Sequence, residues 1–184
     1  PRYLAADMLS QAEHDKNAAA VLVTDSMDLA LEVQKEIEAQ LPLLPREEIA
    51  RASVEANGKI IVAGDLRSAV AIANEIAPEH LELCLDDPFD YLSEIRHAGS
   101  IFLGRSCPEA MGDYCAGPNH TLPTGGTARF SSPLGVEDFV KRSQYIYYTP
   151  QAQAEAADDV ALFAKAEGLM GHARSALIRR EVEA

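Results

Sequence analysis

The stretch KIIVAGDLRSAVAIANEIAPEHLEL, residues 59–83, decides the fold of this chain. KIIVAG is a short apolar run that reads as a strand. Asp65 stands where a helix N-cap would, ahead of LRSAVAIANEIA. Pro78 marks the helix-to-strand junction, and HLELCL after it reads as a second strand. Strand, helix and strand joined by short linkers form the crossover unit of a parallel sheet.

The alternation continues on both sides. Upstream, Leu4, Ala5, Met8, Leu9 and Ala12 recur at helical spacing and predict a helix over 2–15. AAAVLVTD (18–25) reads as a buried strand, and Ser26 as the N-cap of a helix running to the residue before Pro42. LPREEIARASVEAN reads as a further helix closed by Gly58. Downstream, residues 88–97 read as a helix and GSIFLG as a strand. SPLGVEDFVKRSQYIYYT reads as a helix followed by a Tyr-rich strand. Residues 151–183 are Ala- and Glu-rich with helical periodicity, interrupted at Gly168 and Gly171. They carry too little apolar surface for a core of their own and are expected to cover another surface, a second subunit among the candidates. The expected fold is α/β: an incomplete Rossmann-like, mostly parallel sheet flanked by helices, with a C-terminal helical arm. The expected division places an α/β domain at 1–143 and the arm at 144–184.

Composition narrows the function. A net charge of −13, from 16 basic and 29 acidic residues, disfavours binding to a nucleic-acid backbone. No apolar run approaches the roughly 18 residues of a membrane span. The polar opening PRYLAADMLSQAEHD predicts no signal peptide. Cys84, Cys107 and Cys115 are too few and too scattered for a disulfide framework, and an odd count suits a reducing cytoplasm. Neither G-x-G-x-x-G nor a phosphate-loop motif is present, so the α/β pattern alone does not make a nucleotide binder.

The polar residues say more. Gln11 and His14 lie three apart on the first expected helix, resembling in form the i, i+3 metal pairs of helix bundles; from the residues alone a solvated helix face is the plainer reading. Glu79 and His80 place an acid beside an imidazole, a pairing suited to proton transfer near neutral pH or to a surface turn. They stand at the start of a strand, whereas open α/β sheets use strand carboxyl ends. Asp113 and His120 fall in PEAMGDYCAGPNHTLPTGG (108–126), a long irregular segment of the kind that is usually functional or disordered. Tyr114, Cys115, Leu122 and nearby Phe130 argue against disorder. His172 reads as an exposed helix residue and His97 as structural. Cys107 and Cys115 are expected to be buried small hydrophobes, since no C-x-x-C is present.

MLSQAEHD, APEHLEL, GSIFLG and PEAMGDYCAGPNHTLPTGGTARFSSPLGVEDFVKR, in that order, resemble histidinol dehydrogenase. The likeness runs through nearly the whole chain but covers only the C-terminal part of that enzyme, whose chain is more than twice as long. The resemblance implies an NAD-dependent, zinc-containing oxidoreductase. It would convert L-histidinol through histidinaldehyde to L-histidine with two NAD+, the last step of histidine biosynthesis. By the same resemblance Gln11, His14, Asp113 and His172 fall on zinc ligands, and Glu79 and His80 on the catalytic acid–base pair. His120 and Glu167 fall on substrate contacts, and Gln11, His14, His80, Asp113 and His172 also face substrate. The family is a homodimer whose C-terminal arm reaches the neighbouring active site.

One carboxylate, two imidazoles and an amide oxygen make a moderately hard donor set suited to Zn2+. The family's NAD contacts lie upstream of Pro1, so this chain alone is expected to be inactive. It would be a piece of a longer protein or a separate subunit. A non-enzymatic zinc- or histidinol-binding module is the main alternative, and a zinc hydrolase a weaker one, without H-E-x-x-H to support it.

Overall fold

The computed structural model describes residues 1–180 and divides into two compact units, Pro1–Val140 and the remainder from Lys141. The first unit carries α1 (Arg2–Ala12), β1 (Val21–Thr24), α2 (Met27–Gln40), α3 (Glu47–Asn57), β2 (Lys59–Val62) and α4 (Leu66–Ile76). It continues with β3 (His80–Leu83), α5 (Phe89–Leu92), β4 (Ser100–Leu103) and α6 (Glu109–Tyr114). The second unit carries α7 (Pro150–Ala166) and α8 (Met170–Leu177).

All described strand pairing is parallel, with helices in the crossovers, but β2 and β3, the two strands of the 59–83 stretch, belong to different pairs and do not form one crossover unit. The strands form two pairs rather than one continuous sheet. In the first, Val21 faces Lys59 and Thr24 faces Val62; in the second, His80 faces Ser100 and Leu83 faces Leu103. The sequence caps act where expected. Ser26 Oγ accepts the Leu29 N–H at 3.2 Å, and Asp65 Oδ1 accepts the Ser68 N–H at 2.6 Å. Each satisfies a backbone donor that a helix start leaves open.

The main core packs α1 against α2 and α3. Ala5, Met8, Leu9 and Ala12 meet Val33, Ile37, Leu41 and Ala50 above Leu22 of β1. Val33 and Ile37 stand four apart on α2, as an apolar helix stripe requires. Ser53, fully buried, satisfies its hydroxyl on the Ala18 carbonyl at 2.8 Å. Nearer the β3–β4 pair, Asn74 on α4 is 4% exposed and pins the chain after α5. Its Nδ2 donates to the Glu94 carbonyl at 2.9 Å, and its Oδ1 accepts the N–H groups of Arg96 (2.7 Å) and His97 (3.2 Å).

In the second unit, Ala161 and Ala164 of α7 pack on Ala173 of α8, with Leu177 alongside. Gln153 Nε2 donates to the Ala176 carbonyl at 2.7 Å, and Arg180 pairs with Asp158 at 2.6 Å. Small residues allow the two helices to approach closely, but they bury little area. Val160, Leu162 and Phe163 remain exposed.

Several local expectations are corrected. The first helix stops at Ala12, and His14 lies in the turn beyond it, so Gln11 and His14 do not share a helix face. The expected helix at 88–97 shrinks to the four residues of α5, because Asn74 recruits the backbone of residues 94–97. Gly58 does close α3 as expected, though in an extended conformation (φ −61°, ψ 141°) that leads directly into β2. SPLGVEDFVKRSQYIYYT forms only a 3-10 turn at Val136–Asp138, and no strand follows it. Tyr145, Ile146 and Tyr147 are exposed there, so no neighbouring strand or core holds them extended. The irregular 108–126 segment begins with a helix, α6, which carries Asp113. The expectation over 181–183 lies outside the described residues.

Candidate active site

α4 delivers the acid–imidazole pair. Its C-cap, Ala77, takes a left-handed conformation (φ 52°), unusual for a residue with a Cβ, and is buried. That turn ends the helix, and Pro78 prevents its resumption. Glu79 and His80 follow at once, with His80 as the first residue of β3. β4 runs alongside: the Glu79 carbonyl accepts the Ser100 N–H at 2.8 Å, and the Pro78 carbonyl accepts the Gly99 N–H at 3.0 Å. A Cβ at Gly99 would stand 2.6 Å from the Glu79 carbonyl oxygen, so a larger residue would push the strands apart beside the pair.

Asp113 comes from α6. Gly112 before it lies against Phe102 of β4, where an added Cβ would come within 2.6 Å of the ring. The same ring contacts His80, with centroids 5.9 Å apart and planes tilted by 54°. Phe102 is thus the buried spacer that separates α6 from β3 and aims both side chains into one space.

His80, Glu109 and Asp113 meet in that space. Their potential ligand atoms all lie within 4.8 Å of one another, the one such group of three among the described residues. His80 Nε2 lies 3.8 Å from Glu109 Oε1, beyond hydrogen-bond reach; it is buried and lacks a hydrogen-bond partner. Buried polar atoms are nearly always paired, so this nitrogen is positioned for something other than a protein partner. The Glu109 carboxyl is pushed up to about 7 by burial, by a hydrogen bond with Asp113 and by the charges of Asp113, Glu79 and Asp7. The crowded acids fit a cation, which would relieve their repulsion, and the unpartnered imidazole nitrogen beside them is free to accept a proton.

A second layer of acids lies behind this group. Glu82, two residues after His80 on β3, accepts the Glu109 backbone N–H at 2.8 Å. Its carboxyl is raised to about 7, chiefly by burial and then by the Asp7 charge, and it shares a hydrogen bond with Asp7 of α1. Burial raises Asp7 as well.

The remaining expected residues are placed as follows. Gln11 is half-buried at the end of α1, and His14 is exposed beyond it. His120 is exposed in the irregular part of the loop, where Asn119 Oδ1 accepts the Thr121 N–H at 2.7 Å. Glu167 caps α7, and His172 lies on α8, in the second unit. His172 lines an open groove of about 610 Å³ with Tyr148, Gln153, Val160 and Arg179. Cys115 is exposed and Cys84 and Cys107 are only half-buried, so the cysteines are not core residues; all three are free thiols. Glu109, Glu82 and Asp7 escaped the sequence reading. The signal available was spacing: Glu109 is four residues before Asp113, Asp7 four before Gln11, and Glu82 two after His80.

Comparison with known proteins places the chain in a family. The histidinol dehydrogenase family profile matches residues 1–180. The histidinol dehydrogenase of Syntrophotalea carbinolica is 57% identical over 179 residues, 97% of this chain and 42% of that protein. That of Listeria monocytogenes serotype 4b is 56% identical over 183 residues, 100% of this chain and 43% of that protein. The crystal structure of histidinol dehydrogenase from Elizabethkingia anophelis superposes with a TM-score of 0.93 at 34% identity, over 98% of this chain and 42% of that one. The chain spans under half the length of these relatives, and it belongs to the histidinol dehydrogenase family.

Proposed function

We propose that this chain supplies the acid–base pair and the metal ligands of a histidinol dehydrogenase, which oxidises L-histidinol to L-histidine through histidinaldehyde. The observation that carries the reading is the buried, unpartnered His80 Nε2 facing Glu109 and Asp113. In the alcohol step His80 takes the hydroxyl proton as hydride leaves the carbinol carbon. In the aldehyde step Glu79 takes a proton from the water that adds to the carbonyl, and the resulting diol loses the second hydride. Both hydrides go to NAD+, one per step; the alcohol step releases one proton and the aldehyde step, which ends in a carboxylate, releases two.

Gln11, His14, Asp113 and His172 would hold Zn2+, with Glu109 crowded against Asp113. The ion supplies a template that orients the substrate's imidazole and amine. His120 and Glu167 would contact substrate. The arm from residue 144 onward would cover a second copy in a homodimer and bring His172 and Glu167 to the neighbouring site. The exposed Tyr145, Ile146, Tyr147 and Phe163 support that role. The NAD contacts are assigned to the part of the relatives this chain does not span, so the isolated chain should produce no NADH. Three free cysteines are consistent with a cytoplasmic setting. Among the described residues no helix is long and apolar enough to cross a membrane.

The test separates the two half-reactions in a full-length enzyme carrying these residues. His80→Asn should lower histidinol oxidation by about 100-fold or more while zinc content stays near wild type. Glu79→Gln should slow aldehyde oxidation far more than alcohol oxidation, because water is activated only there. Equal losses in both half-reactions for Glu79→Gln would refute the division of labour.

A further inference from the structure

We propose that Glu82 is a positioning residue that joins the three elements carrying the site, α1, β3 and α6, and so sets the distance between His80 and Asp113. Its place on β3 and two contacts support this. Glu82 extends from β3 two residues after His80, so both side chains leave the same face of the strand. Its Oε1 accepts the backbone N–H of Glu109, the first residue of α6, at 2.8 Å. Its carboxyl hydrogen-bonds with that of Asp7, one turn before Gln11 on α1.

The N-cap of α6 is Pro108, which makes no side-chain cap, so the Glu109 N–H depends on Glu82. The helix has six residues, too few to hold its place by its own hydrogen bonds. Remove the acceptor and the start of α6 is released, and Glu109 and Asp113 move with it, since they lie one turn apart. A glutamine keeps both contacts: its carbonyl oxygen accepts the Glu109 N–H and its amide donates to Asp7. A leucine keeps the volume and loses both.

The inference rests on the proposed metal site, and the experiment keeps the two separable. Glu82→Leu and Glu82→Gln are made in the 184-residue chain. Amide hydrogen exchange is followed at Glu109, and Co2+, standing in for zinc, is titrated by its visible absorption. In Glu82→Leu the Glu109 amide should exchange about 100-fold faster. Co2+ should bind about 10-fold or more weakly, the range typical when a supporting contact behind a metal ligand is lost. Glu82→Gln should stay within about threefold of the parent in both. Unchanged Glu109 exchange in Glu82→Leu overturns the proposal, as does free exchange with unchanged Co2+ affinity. A parent chain that binds no Co2+ overturns the metal reading instead, and exchange at Glu109 then decides the positioning role alone. A Glu82→Gln variant that behaves like Glu82→Leu also overturns it, since the contacts would then not be what matters.

Discussion

Asn74→Ala is the sharpest probe of the scaffold behind the acid–imidazole pair. Asn74 is buried on α4, the helix that ends at Ala77 just before Glu79 and His80. Its side chain satisfies one carbonyl, that of Glu94, and two N–H groups, those of Arg96 and His97. Alanine leaves all three without a protein partner. A buried polar group that loses its partner costs about 1–3 kcal/mol. Glu94 and His97 are only half-buried and Arg96 is exposed, so water can reach part of this segment. The cost falls toward the lower bound per group, about 3 kcal/mol in all. In urea, with a slope of about 1–3 kcal/mol per molar, the midpoint should fall by about 1–3 M when followed by far-ultraviolet circular dichroism. Hydrogen exchange at Arg96 and His97 should accelerate, while exchange in α7 and α8 should not change. A midpoint within about 0.3 M of wild type, little more than the extrapolation error, would refute the reasoning. It would mean that residues 94–97 find equivalent partners without Asn74.

Two further outcomes follow from the same region. Gly112→Ala drives a methyl into the Phe102 ring, which is 5% exposed and cannot swing away freely. The expected cost is about 1–3 kcal/mol of stability, and histidinol oxidation by the full-length enzyme should fall with it because Phe102 also packs on His80. Normal activity at normal stability would show that α6 shifts without consequence. The Glu82 carboxyl titrates near 7 in the folded chain against an ordinary 4.5, so the folded state holds the extra proton between those values. Stability should therefore decline as pH rises from about 4.5 to about 7, the opposite of an ion-paired carboxylate. Full conversion of the shift would be about 3 kcal/mol; solvent screening at this half-buried site reduces it to about 1 kcal/mol. Urea titrations in EDTA at pH 5, 6, 7 and 8 on wild type and Glu82→Gln should show the wild type losing ground as pH rises. A pH-independent difference between the two would remove Glu82 as the cause.

The sequence by itself determined the alternation of strands and helices, because period, caps and breakers are local. Asp65, Ser26 and Pro78 act within three residues of where they stand, and the β-branched runs at 21–24 and 59–62 need only a partner strand. It also determined the family, since the stretch from Pro108 to Arg142 is long and rich in residues that rarely co-occur. The tertiary structure decided what local pattern could not. Residues 88–97 read as helical until Asn74, from another element, takes hydrogen bonds from 94–97. Asp113 reads as loop until Phe102 supplies a surface for Gly112 to lie on, which lets a six-residue helix persist. Glu109 looks like an ordinary surface acid, as do Glu82 and Asp7. Only the meeting of α1, β3 and α6 buries all three, raises their carboxyls and leaves His80 Nε2 without a partner. Burial and repulsion are properties of groups brought together across 75 and 27 residues of chain, and no window along the sequence contains them.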